Sequence, residues 1–337
     1  MIKLRNLDNS LKSTIEGVYM PGAAEKFYIG KEAAQFDAYW RQRVPGDRYY
    51  SNPSSGAGTA IAAALAAMTS GRNDVAILSP DSHTLGAALT WSKNMCHLIG
   101  SFGPAMMNQR SRIGATGDFT PMVSVTGYGN TFANLYTMWG ADAAANLVGW
   151  SVTGVRNNFH NCHFGGPMNA AQAIDGATCF HLDGGTDGAE AYFNSCVFGT
   201  DTVERTDGVS SLKLGGVQRS IFKDCLFLSG CDSGADSFMI EAEADAYGWA
   251  YFDNCKFINI AASGFANAMA LALVSAATST AFRFLFSAGT TFHGVTDVIA
   301  ASDEAKVEFG RTATPAAAAI NNDVFVGLSV NPDHTSA

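Results

Sequence analysis

Phe159 to Phe164, Phe193 to Phe198, Phe222 to Phe227 and Phe252 to Phe257 read FHNCHF, FNSCVF, FKDCLF and FDNCKF. Each is Phe-x-(Asn, Ser or Asp)-Cys-x-Phe, and the cysteines Cys162, Cys196, Cys225 and Cys255 stand 34, 29 and 30 residues apart. A period near 30 built on a short strand marks a solenoid, in which each repeat buries its apolar face only against its neighbours. Strand geometry sends the cysteine and the polar third residue to opposite faces, and a turn inside the hexad lets both phenylalanines face inward. Phe159, Phe193, Phe222 and Phe252 are therefore predicted to stack from coil to coil. Weaker matches extend the ladder: FANLYT (132–137) places Leu135 at the cysteine rung, and SAGTTF (287–292) places Thr290 there.

Composition agrees with a folded, elongated β structure. The 337 residues are 47% hydrophobic and only 15% charged, with 35 Gly and 9 Pro. Charged residues in an average domain approach about 25%, so disorder is excluded and many tight turns are expected. Seven cysteines, four of them on equivalent inward rungs, read as reduced small apolar fillers, not a disulfide framework. Folding in a reducing cytoplasm follows. The opening MIKLRNLDNS lacks the apolar run of a signal peptide. The uncharged stretch from Phe257 to Phe282 is rich in Ala, Ser, Thr, Asn and Gly and sits between two rungs, which argues against a membrane span.

Charge divides the chain. Residues 1 to 115 hold 12 Lys and Arg against 8 Asp and Glu, whereas 116 to 337 hold 9 against 22. An acidic solenoid repels nucleic acid, which leaves the basic front segment as the better docking element. Residues 1–55 mix aromatic and basic side chains, among them Phe27, Tyr28, Phe36, Tyr39, Trp40, Arg41, Arg43, Arg48 and Tyr49, with a short helix predicted from Lys31 to Arg41. Such residues anchor protein interfaces, and the same mixture suits a cap packed on its own solenoid. The run at 59–68 has high helix propensity and is placed as a helix closing the open end of the coil. Asp74 to Leu78 reads as the first buried strand, and a second ends at Gly100. The divisions expected are a docking segment (1–55), the coil (56–310) and a C-terminal cap or tail (311–337).

The order of a capping helix, DVAILSPDSHTL, LTWSKNMCHLIGSFG and then the hexads resembles the pectate-lyase-like right-handed parallel β-helix. More narrowly it is similar to β-helical proteins of tailed bacteriophages, whose Leu-x-x-x-Lys and Leu-Ile-Gly-x-x-Gly pattern is matched by Lys93, Leu98, Ile99, Gly100 and Gly103. That resemblance implies an all-β, single-stranded right-handed parallel β-helix, and the repeat period predicts about seven to nine coils. It implies a non-enzymatic structural protein on the virion surface: a trimeric capsid decoration or cement protein that binds the major capsid protein through the docking segment. The alternative it implies is a tailspike-type protein that binds or cleaves host polysaccharide.

Chemistry-bearing patterns are sparse. Glycoside hydrolysis needs two carboxyl groups on one cleft. In IEAEADA, alternation puts Glu241, Glu243 and Asp245 on one strand face, and Asp232 and Asp236 lie just upstream. Charge alternating with Ala is also what the solvent face of a coil looks like, and that reading is preferred. DGGTDG, with Asp183 and Asp187, lacks calcium-loop spacing, and His160, Cys162, His163, Cys179 and His181 fall on faces that do not converge on a tetrahedral ion. No metal and no cofactor are expected.

Overall fold

The computed structural model describes residues 25–103, 111–139, 147–166, 174–200, 202, 203, 205, 208–231, 238–260, 269–273, 282–295, 298, 299 and 306–310. The tail after residue 310 and the stretch before residue 25 lie outside these. The chain winds as a single-stranded parallel β-helix. Its strands form three sheets of 11, 8 and 7 members, and each hydrogen-bonds to the strand one coil before and one coil after. The seven-stranded sheet marks seven complete three-strand coils, from Asp74–Leu78, Ser82–Leu85 and Leu89–Trp91 to Tyr247–Asp253, Lys256–Asn259 and Met269–Leu273. Twisted parallel strands joined by such crossovers wind in the right-handed sense.

The hexads build the interior. Register pairs Phe132 with Phe159, Phe159 with Phe193, Phe193 with Phe222, and Phe222 with Phe252. Their rings stack at 5.2, 4.7, 4.6 and 4.8 Å between centroids, with interplanar angles of 13° or less. A second column, Phe198, Phe227, Phe257 and Phe292, stacks at 4.5 to 4.9 Å. Offset stacking adds to the area term for rings fully withdrawn from water. Leu135, the four cysteines and Thr290 are buried at the corner between these columns. One register detail differs from the sequence reading. Phe252 pairs with Phe286, not Ser287, so the last corner is one residue longer.

The polar third residue has a backbone reason. Asn134, Asn161, Ser195, Asp224 and Asn254 all adopt positive φ, between 48° and 57°. This left-handed step turns the chain between the first and second sheets, which brings both phenylalanines inward. Asn and Asp tolerate it best among residues with a side chain. On adjacent coils Asn161 Nδ2 donates to Asn134 Oδ1 at 2.9 Å, and Asn254 Nδ2 donates to Asp224 Oδ1 at 2.7 Å.

The closed end explains residues 25–68. β1 (Lys26–Lys31) pairs with β3 (Asp74–Leu78), and β2 (Tyr49–Asn52) pairs with β1, so this segment extends the first sheet by two strands. Between them α1 (Gln35–Arg41) lies on the sheet's outer face. Its Trp40 packs with Val75, Ile77, Ile99 and Ala133, a small core outside the coil. The helix starts four residues later than predicted because Ala33, at φ 62°, belongs to the turn that leads out of β1. α2 (Ala60–Ala67) plugs the coil with Ile61, Ala64 and Leu65. Lys93 Nζ donates to the Ala66 and Met68 carbonyls, which satisfies acceptors that the end of α2 leaves open. Gly100 and Gly103 allow close approach: a Cβ on Gly100 would sit 2.1 Å from the Asn134 carbonyl oxygen, and one on Gly103 would sit 2.2 Å from Asn161 Nδ2.

A buried polar latch joins these pieces. Asn52 Nδ2 donates to His83 Nδ1 at 3.0 Å, while Asn52 Oδ1 accepts from the Ala60 amide that begins α2. On the other side of the ring, His83 Nε2 meets Ser79 Oγ at 3.1 Å, and that hydroxyl donates to Asp81 at 2.6 Å. The Nε2–H tautomer satisfies both contacts.

Candidate functional site

Two surface regions carry the chemistry. The first is the outer face of the third sheet. Register places Ser124, Ser151, His181, Lys213 and Glu241 side by side on successive coils, while their neighbours Phe180, Leu182, Leu212 and Leu214 point into the core. Lys213 Nζ lies 3.3 Å from Glu241 Oε1 and 3.4 Å from Glu243 Oε1, and His181 Nε2 lies 3.0 Å from Glu243 Oε2. Burial pushes the Lys213 ammonium down, but Glu241 and Glu243 outweigh it and hold the group above its ordinary value. The hydrogen bond from His181, with help from Lys213, holds Glu243 below the usual carboxylate range.

Glu241 is only 8% exposed, so this is a half-buried ion network, not the plain solvent face expected from the alternation. The strand ends at Ala242, which puts Glu243 just past it and Asp245 in the following turn, where its Oδ1 accepts from the Gly216 amide. Glu241 and Glu243 share Lys213, and Asp245 stands apart from them. A carboxylate held ionised can serve as a base or a nucleophile, whereas the acid partner in glycoside hydrolysis needs a raised pKa. Asp232 and Asp236 lie outside the described residues.

Two positions back along the same face, at Ser211 and Cys179, lies a group with no signal in the sequence. Arg205 is fully buried over this sheet, its Nη1 donating to Ser211 Oγ at 3.0 Å and its Nη2 reaching Cys179 Sγ at 3.6 Å. Burial pulls the guanidinium down, and its Nε has no hydrogen-bond partner.

The second region is the outer layer at the closed end. Of the predicted docking residues, Phe27 and Trp40 are buried, and half-buried Tyr28 packs edge-on against Trp40 at 5.3 Å. Asp37 accepts hydrogen bonds from Tyr49 and, at 2.7 Å, from Ser51, and it pairs with Arg41 Nε at 2.8 Å. Burial pushes the Asp37 carboxyl up, but these three bonds outweigh it and hold the group low. Burial, with the bond to Asp37, pushes the Tyr49 phenol to about 12. Arg48 pairs with Glu25. What faces outward is Tyr39, 48% exposed, with the Arg43 guanidinium 4.0 Å from its ring centre; Arg41 lies over the Tyr49 ring at 5.3 Å, and exposed Phe102 meets Phe36 edge-on.

Among the described residues no three His, Cys, Asp or Glu side chains gather as a metal would require. His163, one of the residues considered for zinc, is buried with Nε2 at 2.9 Å from the Gly199 carbonyl. No helix of the described residues is long and apolar enough to cross a membrane.

No protein-family model matches the sequence, and no curated protein does. Solved structures do resemble it. Pectin methylesterase PemA from Erwinia chrysanthemi aligns at 10% identity over 87% of this chain and 92% of its own, with a TM-score of 0.48. The pectate lyase Pel9A aligns at 12% identity over 88% and 82%, with a TM-score of 0.43. A protein of Geobacillus virus E2, the product of its open reading frame 18, aligns at 14% identity over 69% of this chain and 49% of its own, with a TM-score of 0.45. The likeness is one of fold. It corrects one expectation: the fold is shared with a pectin methylesterase and a pectate lyase, so the exclusion of enzymatic activity drawn from the sequence does not stand.

Proposed function

We propose that this chain is a structural surface protein of a tailed-phage particle, which decorates the capsid by binding its major capsid protein and assembles as a trimer. The observation that carries this reading is the outward Tyr39–Arg43 pair on the outer layer of the closed end, an aromatic and an arginine of the kind favoured at interface centres. The phage-type pattern supports it as well: Lys93 holds the end of the plug helix α2, while Gly100 and Gly103 allow the close approach of Asn134 and Asn161.

Deleting residues 1–55 would strip β1 and β2 from the sheet and uncover Val75, Ile77 and Ile99, which Trp40 covers, so point substitutions make the better test. Full-length protein and the variant Tyr39→Ala/Arg43→Glu are mixed with undecorated capsids and sedimented. Saturable binding by the first and loss of about tenfold or more in affinity by the second support the reading. Absence of binding by the intact chain overturns it. Sedimentation equilibrium of the free protein reads the trimer.

A second reading rests on the half-buried network of His181, Lys213, Glu241 and Glu243. Charged and hydroxyl side chains lined up across successive coils suit a saccharide chain lying on the third sheet, bound or cleaved as by a tailspike. Retention on a host polysaccharide, or release of oligosaccharides, that is lost in Glu243→Gln would favour it over capsid decoration.

A further inference from the structure

The cysteine column is more than filler. Cys162, Cys196, Cys225 and Cys255 occupy the same corner of four consecutive coils, joined by the Val197 amide to the Cys162 carbonyl (2.8 Å), the Leu226 amide to the Cys196 carbonyl (2.9 Å) and the Lys256 amide to the Cys225 carbonyl (2.9 Å). Adjacent rungs are therefore about one strand spacing apart, roughly 4.8 Å. That falls inside the Cα separation of about 4.4 to 6.8 Å that a disulfide spans without backbone movement. The thiols face one another closely enough to interact: Cys196 with Cys162 and Cys225, and Cys225 with Cys255. All seven cysteines are buried, and none is joined in a disulfide.

We propose that this column is an oxidation site, and that a small peroxide converts it into two coil-to-coil disulfides, Cys162–Cys196 and Cys225–Cys255. In each, one thiolate attacks hydrogen peroxide to give a sulfenic acid and hydroxide, and the neighbouring thiol displaces water from the sulfenic sulfur. Per bridge, two thiols and one peroxide give one disulfide and two waters; two electrons pass from sulfur to oxygen. Four thiols in a row pair completely only in this pattern, since a central Cys196–Cys225 bridge strands both outer rungs. Burial pushes Cys162 and Cys225 up. It acts on Cys196 too, but hydrogen bonds from the thiols on either side pull that one down. The other three thiols have separate surroundings: Cys96 donates to the Thr69 carbonyl, Cys179 faces Arg205, and the Cys231 backbone is held by Asn259.

The test uses the full-length reduced protein, native, with hydrogen peroxide. Remaining thiols are then counted after denaturation, and bridges are mapped by mass spectrometry of non-reduced peptides. The expected result is loss of four of the seven thiols as the two named bridges, together with unfolding in denaturant slowed by about tenfold or more and restored by a reductant. Cys196→Ser retains only Cys225–Cys255; Cys196→Ser/Cys255→Ala, which leaves no two thiols on adjacent rungs, retains neither. Bridges through Cys96, Cys179 or Cys231, bridges between molecules, or conversion of the column to sulfinic acid without bridging would each overturn the proposal.

Discussion

The Asn52–His83–Ser79 latch makes a quantitative prediction about acid. Burial pushes His83 from its ordinary 6.5 to about 4, against the pull of the Ser79 backbone bond and Asp81. The geometry agrees. A proton on Nδ1 would face the Asn52 amide donor, and rotating Asn52 to accept it would orphan the Ala60 amide at the start of α2. Because the folded pKa lies below the unfolded one, the unfolded chain takes up the proton first. The contribution is fully present above pH 6.5, is lost as pH falls from 6.5 to about 4, and changes no further below that. At about 1.4 kcal/mol for each pH decade, the loss comes to about 3 kcal/mol. The assay is denaturant unfolding from pH 7.5 to 3.5 for the wild type and for His83→Gln. Buried His97 and half-buried His160 are pushed down as well, so the difference between the two proteins, not the wild-type slope alone, isolates His83. His83→Gln should be less stable at neutral pH and should lose most of the extra slope between pH 6.5 and 4. Parallel curves for the two proteins through that window would refute the reasoning.

Three further outcomes follow from the packing. Phe193→Ala, which removes a ring stacked at 4.7 and 4.6 Å between two others, should cost about 3 to 5 kcal/mol in chemical denaturation, while outward Tyr192→Ala costs well under half of that. Ser195→Val forces a β-branched residue into the left-handed corner and should cost about 1 to 2 kcal/mol, whereas Ser195→Gly should be close to neutral by the same measurement. Lys93→Met leaves the Ala66 and Met68 carbonyls without their charged donor; amide exchange should speed up in α2 before it does in the coils, with about 1 to 2 kcal/mol lost.

The coil was legible because its repeats state their own alignment. Four hexads fixed the rungs, and even the weak match at Leu135 fell in register with Phe132 and Phe159. The one slip, Ser287 for Phe286, came from a corner lengthened by a single residue, which a fixed-length pattern cannot see. The third-position polar residues were read as an outward face; their deeper reason, a left-handed backbone step, is a conformational property that residue type only hints at. Residues 25–52 were harder. Their strands owe their existence to β3, which lies beyond α2 in sequence, so the aromatic and basic mixture left both an interface and a cap open, and only the fold shows that Trp40 packs on the protein's own sheet. The network on the third sheet was half legible: Glu241 and Glu243 stood out, but Lys213 and His181 join them only through coil-to-coil register. Buried Arg205 carried no sequence signal at all.

Since every coil repeats the same three walls, the height of the column is counted, not measured. Each turn consumes close to 30 residues and adds about 4.8 Å, with no intermediate length available. Duplicating or excising one hexad-bearing turn would shift everything beyond it by one rung while preserving both stacks of rings. The distance between whatever holds the plugged end and whatever meets the far end is therefore set in whole steps, and the protein is a ruler graduated in phenylalanines.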